Sequence, residues 1–574
     1  MPNVLPEILY FIENKQSVEN ISNIIQTSFW KDKLKSFKNN DIVLPFFLYY
    51  DDYESGNPLS SHAGIHKLGA VYSSIPCMPV RFQSSLENIF LTLLFHTMDL
   101  KEFGSSAIFN KLVEECNYLQ KSGIEVVSSG KKIKVYFVLT LLLGDNLGLN
   151  KLLGFTESFR SNHYCRFCKC ARVDMEHQVN EDQTMLRNRT NYAADIQLNN
   201  LKVTGIKELC VWNKVQLFHV CENYSVDIAH DIFEGIALFD MTELLYQFIF
   251  IDKIFTVDHL NSRIKYFNFG NSNINKPPLL SLENLEKKKI NMSCAEMKAF
   301  VQYVGIMLED VIPVGNRYWK LYTLLRKILK IVLSDSINMN PSICNLLSNI
   351  ISKHHTLYKD LFSLPLKPKH HNLTHYPGII SKIGPLIYLS SLKYESKHKQ
   401  SKTSANVVTC RRNITRTLAI KHQLNLSKKF FSKTSLSDAL VDKNKVPFDP
   451  FQSIAHFKTI LSSSKISFDV FQEYPLFSAK KVTYNNKVYR IKDVIPIDID
   501  FYVFGIITHI LVNKSDEICF VYKELETYLF DLHSFSCVIK ETNIMKCIFD
   551  TAVPYVAHLC INTTKSNEKL ITFF

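Results

Sequence analysis

Ile42-Val43-Leu44-Pro45-Phe46-Phe47-Leu48-Tyr49-Tyr50-Asp51-Asp52 is an apolar, aromatic and β-branched run that ends on two carboxylates. Its length and composition fit a strand buried on both faces, and carboxylates at a strand terminus face a cleft. Downstream, Asn57-Pro58-Leu59 makes a turn, Leu68 to Ile75 reads as a second strand broken at Ser74-Ile75-Pro76, and Asn88 to Met98 reads as a third. Ser105 to Lys121 carries Ile108, Leu112, Val113, Cys116 and Leu119 at helical spacing and is closed by Gly123. Ile133 to Leu143 is then a fourth, long buried strand, ending in Gly144-Asp145-Asn146. Upstream, residues 1–40 read as a helical lead-in, with Val18 to Ile25 and Phe29 to Phe37 as its helices.

Three strands, a helix and a fourth strand, with acids at the tips of the first and fourth, is the order of an RNase H-like α/β core. Phosphoryl transfer by two divalent metals needs carboxylates that converge on one point, because hard Mg²⁺ takes oxygen ligands and each ion must also reach a substrate phosphate. Two strand-end aspartates and a third carboxylate from a helix supply that set. Twenty residues past Asp145 comes Cys165-Arg166-Phe167-Cys168, and much later His371-x-x-x-His375. Paired thiolates at this spacing can share one Zn²⁺, and histidines at i, i+4 lie on one helix face. Together they read as a Cys₂His₂ zinc site joining segments 200 residues apart, with Cys170 and His370 as alternative ligands.

The composition allows this reading. At 574 residues, 46% hydrophobic and 12% aromatic, the chain is too long for one core and too apolar for disorder. No apolar run reaches the length of a membrane span, and no basic-then-apolar leader opens the chain, so an intracellular protein is expected. Fourteen cysteines over this length suit reduced thiols and metal ligation better than a disulfide scaffold. The net charge is +13, and most of it lies in one segment. There Lys393, Lys397, Lys399, Lys402, Arg411, Arg412, Arg416, Lys421, Lys428, Lys429 and Lys433 surround the single acid Glu395. Such a cationic stretch attracts polyanions, of which nucleic acid is the commonest inside cells. Helical stripes at Thr242 to Ile251, Cys294 to Leu308 and Trp319 to Leu333 read as packing faces of an insertion. Past Asp438, Val482 to Tyr489 reads as a hairpin turning at Asn485-Asn486, and further strands are expected at Asp500 to Leu511, Ile518 to Tyr522 and Cys537 to Lys540. The expected organisation is therefore α/β plus α. Residues 1–40 lead in, 41–235 begin the core, 236–365 form an all-helical insertion, 366–438 complete the core, and 439–574 form a small all-β, barrel-like domain.

The ordered set Tyr50-Asp51-Asp52-Tyr53-Glu54, Leu143-Gly144-Asp145-Asn146, Cys165-x-x-Cys168, Asp227-x-x-His230, His371-x-x-x-His375-Tyr376-Pro377, Gly384-Pro385-Leu386 and Tyr394-Glu395-Ser396-Lys397-His398 resembles the DDE transposases of the CACTA-like (Tnp2-like) superfamily. These are related to the Transib-type transposases and the V(D)J recombinase catalytic subunit. The resemblance covers residues 42 to 430. It implies Asp51, Asp145 and Glu395 as the catalytic triad holding Mg²⁺ or Mn²⁺, and Cys165, Cys168, His371 and His375 as ligands of a structural Zn²⁺. It further implies DNA (transposon ends and target) as substrate, with Lys393, Lys397, Lys399, Lys402, Arg411, Arg412 and Arg416 along it, a nuclear location, and a homodimer by family analogy. His230 matches the family's Asp-x-x-His element and is an accessory candidate. A transposase-derived protein that binds DNA without cutting it is the alternative.

Overall fold

The computed structural model of the protein describes residues 4–573 except 17, 57–66, 80–81, 83–84, 129, 271–274, 339–340, 409–410, 432–439, 442–444, 465, 467–475, 485–486, 500, 514–516, 555–558 and 565–566. The turns expected at Asn57-Pro58-Leu59 and Asn485-Asn486, and Lys433, lie outside the described residues. The chain divides into two compact units, one of residues 1–236 and 331–436 and the other of 237–330 and 437–574. Among the described residues no helix is long and apolar enough to cross a membrane.

The first unit is built on a mixed five-stranded sheet of β1 (Ile42–Glu54), β2 (Lys67–Ser74), β3 (Phe90–His96), β4 (Ile124–Ser128) and β5 (Lys131–Leu143), in the order β3-β2-β1-β5-β4. β1 runs parallel to β5 and antiparallel to β2. The sequence reading did not find β4, a short and largely exposed strand that forms a hairpin with β5 through Gly130, whose φ is 77°. It also stopped β1 too early. The parallel ladder with β5 ends at Tyr49↔Leu143, but the antiparallel ladder with β2 carries β1 on through Asp51↔Ala70 to Glu54↔Lys67. Asp51 is therefore not at a strand terminus; it sits where one neighbour has ended and the other continues. A bulge precedes this point, since Phe46 pairs with Leu139 and Phe47 with Leu141, which leaves Thr140 between them. The carbonyl of Thr140 accepts Asn223 Nδ2–H at 2.7 Å, so this bulge oxygen is paired.

Side chains alternate across β1. Tyr49, Asp51 and Tyr53 face the helix Leu392–Asn406, where the Tyr49 and Tyr394 rings stack at 4.3 Å and 6° and Tyr53 lies 4.5 Å from the His398 ring. Tyr50 faces the opposite side, against Phe95 and Phe109, within an apolar core that also takes Leu139, Leu142, Leu149 and Trp212. The N-terminal segment differs from expectation too. Leu5–Gln16 is helical, and the stretch read as a helix from Val18 is not. There the Gln26 amide donates to the carbonyls of Lys15, Val18 and Asn20, drawing the backbone into a compact turn before the short helix Ser28–Leu34.

In the second unit the helices Ala237–Tyr246, Cys294–Leu308 and the part of Trp319–Val332 up to Lys330 share one body with long strands, among them Val503–Val512, Ile518–Asp531 and Ser536–Phe549. The fully buried Arg326 joins the two kinds of element, donating to the carbonyls of Gln302 and Phe573 and to Thr572 Oγ1 at 2.7 to 3.0 Å. The short helix Phe457–Ser463 packs Phe457, Ile460 and Leu461 against Leu511, Cys519 and Val521 of the sheet. The strands thus share their cores with helices.

Candidate active site

Asp51 and Asp52 are adjacent in sequence and point apart. Asp51 Oδ2 lies 3.0 Å from His398 Nε2 on the helix side of the sheet. Asp52 is engaged on the other side, its Oδ1 accepting Tyr50 O–H at 2.5 Å and its Oδ2 paired with Lys151 at 2.9 Å. That leaves Asp51 as the carboxylate offered to the cleft.

Asp145 reaches the same cleft from the end of β5. A Cβ at Gly144 would lie 2.8 Å from the Tyr50 carbonyl, so glycine is what lets the chain pass this close to β1. Asp145 then caps the helix Asn146–Leu153, accepting the Gly148 N–H at 2.5 Å. Burial raises the pKa of its carboxyl, the Gly148 N–H opposes that rise, and the negative charge of Asp51 adds to it.

Glu395 comes from the helix Leu392–Asn406. Burial raises its pKa as well, against hydrogen bonding from Ser391 and the positive charge of His230 and together with Asp227 and Asp51. Its Oε1 has no hydrogen-bond partner among the described residues. His230 faces this oxygen, with Nε2 at 4.0 Å. It sits in a π-helical turn, Ala229–Ile236, a backbone form that recurs at functional sites. Asp227 orients the ring by accepting Nδ1–H at 2.5 Å on Oδ2, while its Oδ1 accepts the N–H groups of Ala229 and Ser391. Burial disfavours the charged imidazole, but Asp227, Glu234 and Glu395 outweigh it and lift the pKa to about 9. The phenol of Tyr49 beneath the site is held protonated by burial and then by the charges of Asp51, Glu395, Asp227 and Asp145. Four carboxylates thus act electrostatically on one point, and Asp227, His230 and Glu395 have ligand atoms within 4.8 Å of one another. Asp51 and Asp145 are not part of that close group. Both oxygens of Asp227 accept hydrogen bonds, and both of Asp51 are engaged as well, Oδ1 by the Asp52 N–H at 2.8 Å and Oδ2 beside His398.

A second group is fully buried. Cys165, Cys168, His371 and His375 bring four ligand atoms within 4.8 Å of one another, a set that can hold a metal ion. Cys165 Sγ lies 3.6 Å from His375 Nε2, Cys168 Sγ 3.3 Å from His371 Nε2, and the two Nε2 atoms are 3.2 Å apart. The histidines do not share one continuous helix; Pro368–Thr374 ends just before His375, which is also the N-cap of Tyr376–Ile383. Cys170 and His370 lie outside the group, and His370 Nδ1 instead accepts the Lys367 N–H. Glu181 Oε1 accepts His375 Nδ1–H at 2.5 Å, which fixes the tautomer and leaves Nε2 free to ligate.

No protein-family model and no curated protein matches the chain. What it can do is read from its own geometry.

Of the residues read as phosphate contacts, Lys399, Lys402, Arg412 and Arg416 are exposed, and Lys393 and Arg411 are half-buried. Lys397 is a correction. It is buried, and its ammonium donates to the Leu86 carbonyl at 2.7 Å, so it pins the glutamate helix to the chain before β3 and offers no charge to solvent. Sequence reasoning quoted Asp227 and His398 only within motifs and gave neither an orienting role, and it missed Glu181, which holds His375 of the Cys/His group. The signal for His398 was its position three residues after Glu395, on the same helix face.

Proposed function

We propose that this chain cuts and joins DNA strands as a transposase of the DDE type, with an RNase H-like catalytic core, resembling the CACTA-like superfamily. The observation that carries this reading is the gathering of Asp51, Asp145 and Glu395 around His230, near enough for their charges to act on one another, from a central strand, the end of its parallel neighbour and a helix packed on the central strand. Carboxyls whose pKa values burial raises, at Asp145 and Glu395, and an unpartnered Glu395 oxygen are an environment that a divalent cation relieves.

Asp51, Asp145 and Glu395 would hold Mg²⁺ or Mn²⁺, which when bound polarises a phosphate and lowers the pKa of a water or a 3′-hydroxyl. The chain's own groups prepare that site. His398 holds Asp51 at 3.0 Å, the Gly148 N–H fixes the Asp145 carboxylate, and Asp227 holds His230 toward Glu395. Lys399, Lys402, Arg412 and Arg416, on the glutamate helix and after it, supply phosphate contacts that give affinity without sequence choice. For the buried Cys/His group we take Zn²⁺ as the ion. Tetrahedral zinc sets S···N edges of about 3.6 Å and N···N edges of about 3.3 Å, and the S···N and N···N separations found are 3.6, 3.3 and 3.2 Å. Its role is structural, clipping the segment after Asp145 to the helices before Glu395. A DNA substrate places the work in the nucleus, and a homodimer suits two transposon ends.

The test is nicking of supercoiled plasmid by the purified full chain in Mg²⁺ or Mn²⁺, with Asp145→Asn and Glu395→Gln alongside. Nicking by the wild type that both variants lose is the expected result. Salt-sensitive DNA binding with no nicking in either metal would overturn cleavage in favour of a DNA-binding descendant, and nicking retained by Asp145→Asn would overturn the triad.

A further inference from the structure

Five buried polar side chains outside both groups form one connected set. Asp231 is its centre: Oδ1 accepts Asn146 Nδ2–H at 2.6 Å and Asn372 Nδ2–H at 3.0 Å, and Oδ2 accepts Tyr376 O–H at 3.1 Å. Asn146 Oδ1 accepts Arg166 Nη1–H at 2.9 Å, and Arg166 Nη2 donates to the Ser225 carbonyl at 2.9 Å. None of the five is more than 6% exposed. Each is the chain neighbour of a residue already placed in a site. Asn146 follows Asp145, Arg166 follows Cys165, Asp231 follows His230, Asn372 follows His371 and Tyr376 follows His375.

Packing alone does not call for this arrangement. A buried carboxylate and a buried guanidinium cost desolvation, and apolar side chains of similar volume fill such space at least as well. What the polar set adds is direction, because each hydrogen bond fixes one backbone position next to a functional atom.

We propose that Asp231 is a positioning residue that holds the Cys/His clamp and the acidic cluster in one fixed relation, so that the clamp sets the place of Asp145. One arm runs from Cys165 through Arg166 and Asn146 to Asp145; the other runs from His371 through Asn372 to Asp231 and His230. This deepens the proposed function and rests on it only in taking the acidic cluster as a divalent-cation site.

The experiment uses the full chain with its clamp metal bound and has three readouts: Mn²⁺ affinity by electron paramagnetic resonance titration, clamp-metal content by elemental analysis, and backbone hydrogen exchange at residues 144–150. Asp231→Ala is expected to keep the clamp metal, to speed exchange at 144–150, and to weaken Mn²⁺ binding by about 10- to 100-fold, the usual cost of losing a group that orients metal ligands. Asn146→Ala should give a similar loss, and the double variant should be no worse than either single one. Asp231→Asn keeps an acceptor for the two asparagine donors; it should fall between wild type and Asp231→Ala, and it carries the test if the alanine variant does not fold. Wild-type Mn²⁺ affinity and exchange in folded variants, or additive losses, would overturn the proposal. If the wild type itself binds no Mn²⁺ at the cluster, the proposed function fails, and the exchange readout still decides this inference: faster exchange at 144–150 with the clamp metal retained upholds it, and unchanged exchange overturns it.

Discussion

His398 Nε2 lies 3.0 Å from Asp51 Oδ2 across 347 positions of chain, and the same ring takes the Tyr72 hydroxyl at 3.0 Å on Nδ1. With one ring nitrogen against the carboxylate and the other against the phenol, the imidazole is fixed in orientation. It is a strut between the glutamate helix and the strand that carries the first aspartate. His398→Ala is expected to slow plasmid nicking by about 10- to 100-fold, as losses of ligand-orienting groups do, with the metal of the Cys/His group unchanged. Wild-type nicking by this variant would remove the strut from the account.

Asp145 carries two separable duties. As a helix cap it needs only an acceptor for the Gly148 N–H, which asparagine also supplies. Asp145→Asn should therefore melt close to the wild type while losing nicking, whereas Asp145→Ala should lose nicking and also about 1 kcal/mol of stability. Thermal melts of the two variants side by side check the separation.

The clamp histidine depends on Glu181, which accepts His375 Nδ1–H. Glu181→Ala should weaken retention of the clamp metal by about 10- to 100-fold, while Glu181→Gln, which keeps an acceptor, should lose less. Competition with a chromogenic chelator measures both. Stripping the metal from the wild type should lower the melting temperature, because binding to such a site is folding free energy. An unchanged melt would mean the four ligands hold no structural ion.

Much of this arrangement was legible because it rests on local patterns. The apolar run into Asp51, the glycine before Asp145 and the i, i+4 histidines are read from composition and spacing, and each lies within a few residues of the feature that fixes it. What stayed illegible is set by distant partners. The choice of Asp51 over Asp52 rests on the family resemblance alone, and its physical reason, Lys151 on one side of the sheet and His398 on the other, could not be read. The burial of Lys397 follows from a carbonyl 311 positions away. The strand β4 has Ile124, Val126 and Val127 in its five residues and was legible by composition, but it is short and largely exposed, so no buried run marks it. The sharing of one body by the helices 237–330 and the C-terminal strands depends on Arg326, whose partners lie 246 and 247 positions downstream.

His422 gives a pH dependence of known sign. Its Nε2 accepts the Leu91 N–H at 3.2 Å, tying the helix Ile414–Phe431 to β3. Burial, then the charges of Lys397 and Lys429, push its pKa down from 6.5 to about 4. The folded state thus binds this proton less tightly than the unfolded chain. The contribution is complete above pH 6.5 and is lost as pH falls toward about 4. The melting temperature of His422→Gln should accordingly approach that of the wild type as the pH is lowered through this window. A constant gap between the two would refute the assignment.

The bulge at Thr140 sets the phase of everything that follows it on β5. Removing that one residue would mend the ladder with β1 and turn each later side chain of the strand to the opposite face, sending Leu141 to Leu143 and the approach to Asp145 the wrong way. Between Phe47 and Asp51 a shift of one would likewise exchange Asp51 for the lysine-bound Asp52. In these two stretches substitutions at positions other than Asp51, Gly144 and Asp145 can be absorbed, but a single codon gained or lost cannot, so lineages of this sequence should vary there in letters and never in length.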